Sequence, residues 1–250
     1  MVLRLPISLS VSKNYLFFVR HGQRADNKGG SFHSDSEITE NGKSQAKASG
    51  ELFKDLVSRH PTKNIKILSS PWTRCMMTAS YIAEQLDHKE LIVEPKMCET
   101  LLDLVFKENP FNYLNILDMN KSDYKQKFLA GNVDVKQASE SSYENSKNWY
   151  PESVEHYYKR CYDYIQNHGH FVQDEAESSI AIVVTHALAL DAIREFTNNE
   201  KPIIDYCSIS CIEEDKTDPN QRTLLLNAFS DHIDRGDDYI LDPLKQVFVL

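Results

Sequence analysis

The chain has 250 residues, 41% of them hydrophobic, which is enough for one α/β domain with an insertion and a sizeable core. Its formal charge of −9 argues against a nucleic-acid surface, which needs clustered basic residues, and makes any phosphate site a local positive island. No run approaches the ~18 apolar residues of a membrane span, and Met1 to Pro6 lacks the apolar length of a secretory signal. Five cysteines, Cys75, Cys98, Cys161, Cys207 and Cys211, form no Cys-x-x-Cys pair and suit a reduced, soluble, cytoplasmic protein.

The first predicted element is a buried strand over about Asn14–Val19, and it runs straight into Arg20-His21-Gly22. That triplet sits where a parallel strand meets its loop, the usual location of sites in open α/β folds. The Arg can fork around phosphate oxygens, a neutral His can attack phosphorus, and Gly22 lets the backbone turn tightly and come close. A Gly-containing stretch from Asp26 to Ser31 follows, then a helix over about Glu40–Ser58 that lines up Ala46, Phe53, Leu56 and Val57. A second strand over Ile65–Leu68 leads through Ser69-Ser70-Pro71 into a helix over Trp72–Leu86. Pro71 fits the start of that helix, and Arg74 falls in its first turn beside donors that favour an anion.

Leu91–Glu94 reads as a third strand, with Glu99 shortly after it. From Asp103 to Pro151 the periodicity dissolves into short mixed segments, read as a cap inserted over the strand ends. A helix over Ser153–Asn167 turns Val154, Tyr158, Cys161 and Ile165 inward. The run Ile180–Thr185 is again an apolar strand, ending in His186, with a short helix over Leu188–Phe196 behind it. Ser208–Glu213 and Thr223–Phe229 are two more strands, and the apolar terminus Val247–Leu250 is expected to dock on the core. The fold class is therefore α/β: three layers, a mostly parallel sheet flanked by helices, forming one domain over 1–250 with a cap at about 103–151.

A strand-terminal His21, a helix-initial Arg74 and a second strand-terminal His186, in that order, resemble the histidine phosphatase superfamily, the phosphoglycerate mutase-like fold. The resemblance runs from about Asn14 to Phe229, and Ile38 to Ala46 resembles the start of that family's first helix. Arg20 to Asp26, Thr185 to Asp191 and Ser208 to Glu214 look most like a narrower set. These are the phosphatase domains of the ubiquitin-associated and SH3-containing suppressors of T-cell receptor signalling, and the ecdysteroid-phosphate phosphatases. Gln23, where that set usually has Glu, and Ala187, where Gly is common, depart from it. A homodimer is implied by this narrower resemblance alone.

The resemblance implies a phosphomonoesterase working through phosphohistidine. His21 is the nucleophile, kept neutral by Arg20 and Arg74. Arg20, Arg74 and His186 hold the phosphate oxygens, and the narrower resemblance adds Arg24. Glu99 lies where the family's general acid follows its third strand, with Glu94 and Glu37 as rivals. Burial against an apolar cap is expected to raise its pKa. No metal or cofactor is required, because the arginines supply the positive charge.

The cap carries Phe106, Phe111, Tyr113, Tyr124, Phe128, Tyr143, Trp149 and Tyr150 and no Arg. A pocket edged by these favours phosphotyrosine or another aryl or hydrophobic ester, unless they simply form the cap's own core. Partners are then a small phosphomonoester or a phosphoprotein, with no nucleic acid and no membrane. Two alternatives remain. One is a phosphoglycerate mutase-type phosphotransferase, although the chain reads Glu99-Thr100-Leu101-Leu102-Asp103 where mutases have Glu-Arg-His-Tyr-Gly. The other is a weakly active or inactive binding scaffold. His168-Gly169-His170 could ligate a metal but reads better as a helix–strand loop, and Gly42-Lys43-Ser44 lacks the first Gly of a nucleotide-binding loop.

Overall fold

The computed structural model describes residues 4–27, 35–62, 64–114, 119, 121–137, 145–167, 178–218 and 220–234. The end of the Gly-containing stretch, Tyr143, His168-Gly169-His170 and the apolar terminus from Val247 lie outside the described residues.

Seven strands form one sheet in the order β4-β3-β2-β5-β1-β6-β7. They are β1 (Lys13–Arg20), β2 (Asn64–Ser69), β3 (Glu90–Val93), β4 (Asp134–Gln137), β5 (Ser179–Thr185), β6 (Ile209–Asp215) and β7 (Arg222–Phe229). The first five are mutually parallel where they pair, while β6 runs antiparallel to β1 and to β7. The helices are α1 (Glu40–Ser58), α2 (Thr73–Gln85), α3 (Ser122–Phe128), α4 (Val154–Asn167) and α5 (Ala187–Phe196). Among the described residues no helix is long and apolar enough to cross a membrane.

The central strands read as unbroken apolar runs because both faces are covered. In β1, Tyr15, Phe17 and Val19 join Phe53, Leu56, Met76 and Ile82 of α1 and α2 in one core. Leu16 and Phe18 point the other way, to Tyr157, Cys161 and Ile165 of α4 and Leu190 and Ile193 of α5. The loops after β1 and β2 thus lead to one face and the loop after β5 to the other. They diverge at the carboxyl ends of adjacent strands, which opens the crevice where α/β sheets place their ligands.

The interval expected to be a cap behaves less uniformly than its broken periodicity implied. Four of its residues form β4, which extends the sheet beyond β3, with Leu91 opposite Val135. A four-residue edge strand with only Val135 buried carries too little alternation to be read from sequence.

Gly22 and Gly42 interlock the loop after β1 with α1. A Cβ on Gly22 would stand 2.6 Å from the Gly42 carbonyl oxygen, and one on Gly42 would stand 2.7 Å from the Gln23 oxygen. Thr39 caps α1 by accepting from the Gly42 N–H at 3.0 Å, and its hydroxyl donates to Gln23 Oε1 at 2.8 Å. Gly→Ala within a helix ordinarily gains roughly 1 kcal/mol. Here Gly42→Ala forces backbone against backbone, and a loss of about 1–3 kcal/mol is expected, read as a lower urea midpoint. A midpoint at or above wild type would show that the two segments are free to separate.

Candidate active site

Strand register brings the chemistry together. Arg20 pairs with Thr185 across β1 and β5, and Ser69 pairs with Val184 across β2 and β5. His21 and His186, each one residue beyond its strand, therefore lie side by side with ring centroids 5.4 Å apart. Arg74 reaches the same point from the first turn of α2, and Glu99 from the segment after β3. Arg20, His21, Arg24, Arg74 and His186 are all buried.

His21 is held in one orientation. Its Nδ1 lies 2.8 Å from the Gly22 carbonyl oxygen, which makes Nδ1 the protonated nitrogen and leaves the lone pair on Nε2. Burial lowers its pKa well below the ordinary value of 6.5, with Arg74, Arg20 and His186 adding to the effect. The ring is therefore neutral at physiological pH, as the flanking arginines led us to expect. The Gly22 N–H donates to Thr78 Oγ1 at 3.0 Å, and that hydroxyl donates to the Arg74 carbonyl oxygen at 2.7 Å. One threonine of α2 thus ties the His21 loop to the helix that carries Arg74.

Each arginine is aimed by a different device. Arg20 donates through Nη1 to the Ile204 carbonyl oxygen at 2.9 Å and lies 4.0 Å over the face of Tyr206. Arg24 forks onto Asp26, with Nε 2.9 Å from Oδ1 and Nη2 2.6 Å from Oδ2. Its charge is still felt in the site, where it disfavours the charged forms of Arg74 and His186. Arg74 Nη2 lies 3.2 Å from Glu99 Oε2.

That same Glu99 oxygen lies 3.1 Å from His186 Nδ1, so guanidinium and imidazole converge on one carboxylate atom. His186 Nε2 meets Ser70 Oγ at 2.8 Å, an arrangement in which Nδ1 carries the proton toward Glu99 and Nε2 accepts the serine hydroxyl. Burial lowers the His186 pKa to about 4, helped by Arg74 and Arg24 and opposed by Glu99. Both ring nitrogens already have protein partners, which sequence alone did not reveal.

The expectation of a raised Glu99 pKa is corrected here. Burial does push the carboxyl upward, but His186, Arg74 and the Thr100 N–H together outweigh it and hold the group well below the usual range. Glu99 is thus an anion seated between the Arg74 guanidinium and the neutral His186 ring. Its rivals are placed elsewhere: Glu94 is buried and caps a turn through the Lys96 N–H at 2.9 Å, and Glu37 is exposed.

Sequence reasoning missed Asp26, Ser70, Thr78 and Tyr206. It also missed Asp35, which accepts from the Thr73 N–H at 2.6 Å and the Thr73 hydroxyl at 2.8 Å at the amino end of α2. Burial raises the Asp35 pKa against the pull of those bonds and of Arg74. Only the spacing of Asp26 from Arg24 offered a signal. The cap's aromatics turn mainly inward: Phe106 and Phe111 are buried, and Phe111 packs edge-on against Trp72 with centroids 6.0 Å apart. The five cysteines are free and buried.

The two histidines provide a test of this electrostatic arrangement. Depressed pKa values mean that neither ring protonates as pH falls from about 8 to about 5. Imidazole NMR resonances of His21 and His186 should stay in place over that range, with the His186 midpoint at about 4. A His186 midpoint at or above the ordinary 6.5 would instead show an imidazolium paired with Glu99.

Residues 16–109 match the model of the histidine phosphatase superfamily (branch 1). No curated protein matches the chain. Among solved structures, the ecdysone phosphate phosphatase from Bombix mori, in complex with tungstate, superposes with a TM-score of 0.59 at 17% identity. The match covers 89% of this chain and 98% of that one. A phosphoglycerate mutase from Bacillus anthracis gives 0.60 at 18%, covering 89% and 96%. A phosphoserine phosphatase mutant from Entamoeba histolytica, in complex with phosphoserine, gives 0.55 at 18%, covering 88% and 99%. These likenesses establish the α/β fold, in which the two histidines stand at adjacent strand ends. The matched segment runs from β1 to beyond Glu99 and so includes His21, Arg74 and Glu99, while His186 lies outside it.

Proposed function

We propose that the protein is a phosphomonoesterase that works through a phosphohistidine at His21. The observation that carries this reading is the His21 ring: buried, neutral, and fixed by the Gly22 carbonyl so that Nε2 keeps its lone pair under the influence of Arg20 and Arg74. Such a nitrogen attacks phosphorus, and the bond from phosphorus to the leaving oxygen breaks as the new bond to nitrogen forms. Arg20, Arg74 and His186 hold the nonbridging oxygens as charge builds, with Arg24 behind them. The leaving oxygen takes a proton from Glu99. Water then attacks the phosphohistidine, Glu99 takes the water's proton, and His21 is restored with release of inorganic phosphate.

The low pKa of Glu99 without phosphate fits this role. A phosphate dianion that engages Arg74 and His186 removes two of the three partners that keep the carboxyl ionised, while the burial that favours its protonated form remains. Substrate binding thereby loads the acid. We further propose that 103–151, β4 apart, acts as a cap on this single domain, and that the leaving group is aryl or otherwise hydrophobic, phosphotyrosine included. In support, Leu104 (92% exposed) and Tyr113 (41%) stand in the segments after Glu99, and Ile203 (75%) adjoins the Ile204 carbonyl that holds Arg20.

Hydrolysis of para-nitrophenyl phosphate in EDTA is expected, with the rate falling at least about 10³-fold in His21→Ala. Acid-labile label should be trapped on wild type but not on the variant. No turnover by folded wild type would overturn the general phosphatase and favour a selective phosphotransferase or a binding role. Glu99→Gln should slow the first turnover of an alkyl phosphate by about 10²–10⁴-fold. The loss should be markedly smaller for para-nitrophenyl phosphate, whose leaving group needs less protonation. Equal losses on both would remove Glu99 from the proton transfer.

A further inference from the structure

Beneath Glu99 lies a buried ion pair that the reaction itself does not use. Arg160 of α4 and Glu152 just before that helix are both buried, with side-chain exposures of 8% and 4%. Arg160 Nη2 lies 2.5 Å from Glu152 Oε1, and Nε lies 3.3 Å from Oε2. The guanidinium is packed between aromatic faces, 4.9 Å from the Trp149 ring centroid and 4.7 Å from that of Tyr157. An isolated pair of this kind contributes little to stability, because taking both charges out of water costs about as much as their attraction returns. Its other contacts indicate a different purpose.

Arg160 also donates through Nη1 to the Lys96 carbonyl oxygen and through Nη2 to the Glu99 carbonyl oxygen, the latter at 3.4 Å. Glu152 Oε1 accepts from the Leu101 N–H at 2.9 Å, and the Glu152 N–H donates to the Leu101 carbonyl oxygen at 3.1 Å. The pair therefore grips the backbone at residues 96, 99 and 101, on both sides of the Cα from which the Glu99 carboxylate departs. The same stretch is joined to β5 by the Thr185 hydroxyl, which donates to the Met97 carbonyl oxygen at 2.8 Å. These bonds hold the main chain and leave the Glu99 side chain free to turn.

We propose that Arg160 and Glu152 are positioning residues for the proton transfer: they fix the Glu99 backbone while its carboxylate moves between Arg74 and His186 on one side and the leaving oxygen on the other. This rests on the reading of Glu99 as the general acid. The groups facing Glu99 are Arg74, His186 and the Thr100 N–H, so the pair acts by geometry and does not touch the reacting atoms.

The test is a double-mutant cycle on the full chain, with Arg160→Met and Glu99→Gln made singly and together. Each protein is assayed for first turnover of an alkyl phosphate and of para-nitrophenyl phosphate. A misplacement of about 1 Å at a reacting group costs on the order of 10²-fold. Arg160→Met is therefore expected to slow alkyl phosphate by about that factor, with KM little changed and a much smaller loss on para-nitrophenyl phosphate. The loss should disappear when Glu99 is already Gln, because neighbours that act as one unit are not additive.

Equal losses on both substrates, or full additivity with Glu99→Gln, would reduce the pair to a structural role and overturn the proposal. If Glu99→Gln slows alkyl phosphate while Arg160→Met does not, the acid survives and the positioning fails. If Glu99→Gln is silent, both fail. Should Arg160→Met not fold, Arg160→Lys serves in its place. It keeps the charge and the stem, but one ammonium cannot span two carbonyls and a carboxylate.

Discussion

The constraint on which this structure turns is the cost of gathering arginines out of water. Arg20, Arg24 and Arg74 are each no more than 3% exposed, in a chain whose net charge is −9. Bare cations so placed would repel one another and lose their hydration, so each must find a counter-charge, a carbonyl or an aromatic face before any ligand arrives. Arg24 has Asp26, Arg74 has Glu99, and Arg20 has the Ile204 carbonyl and Tyr206. The carboxylates among these are internal stand-ins for an anion. They keep the arginines in place, and on the proposed reaction an incoming phosphate would displace Glu99 from Arg74.

That requirement separates the groups by freedom of movement. Asp26 forks onto Arg24 with both oxygens, and Asp35 takes both the N–H and the hydroxyl of Thr73. Glu99 is different: a single oxygen meets Arg74 and His186, while the other, among the described residues, accepts from the neighbouring Thr100 N–H. Its place is also the one whose main chain is anchored from below by Arg160 and Glu152. The side chain that meets its partners through one oxygen is thus also one whose backbone a buried ion pair anchors.

Much of this was legible in the sequence because the sheet is buried on both faces. Runs such as Tyr15–Val19 and Ile180–Val184 announce strands by composition, and the residues immediately beyond them are then placed without further information. Parallel neighbours with matched ends do the rest, so His21, His186 and Arg74 fall together. What could not be read depends on side-chain direction across elements. Nothing in the spacing says that Thr78 reaches back to Gly22, that Tyr206 lies under Arg20, or that Asp35 sits at the start of α2. The sign of the Glu99 shift failed for the same reason. Burial was foreseeable, but the convergence of two specific partners on one oxygen is a tertiary fact that reverses its effect.

Gln23, where the narrower resemblance has Glu, also acquires a physical reading. A Glu at position 23 would place a carboxylate where Gln23 Oε1 now accepts the Thr39 hydroxyl, in a buried position close to the α1 cap. The neutral amide keeps that acceptor without another buried charge, and it leaves the loop's geometry to the backbone. The Gln23 N–H donates to Gln45 Oε1 at 3.0 Å, and the Thr39 N–H donates to the Gln23 carbonyl at 2.8 Å. Gln23 therefore holds the His21 loop against α1, and it does so by hydrogen bonds that no change of pH in the working range of His21 and Glu99 can alter. In the proposed reaction the proton moves through Glu99, which these bonds do not touch.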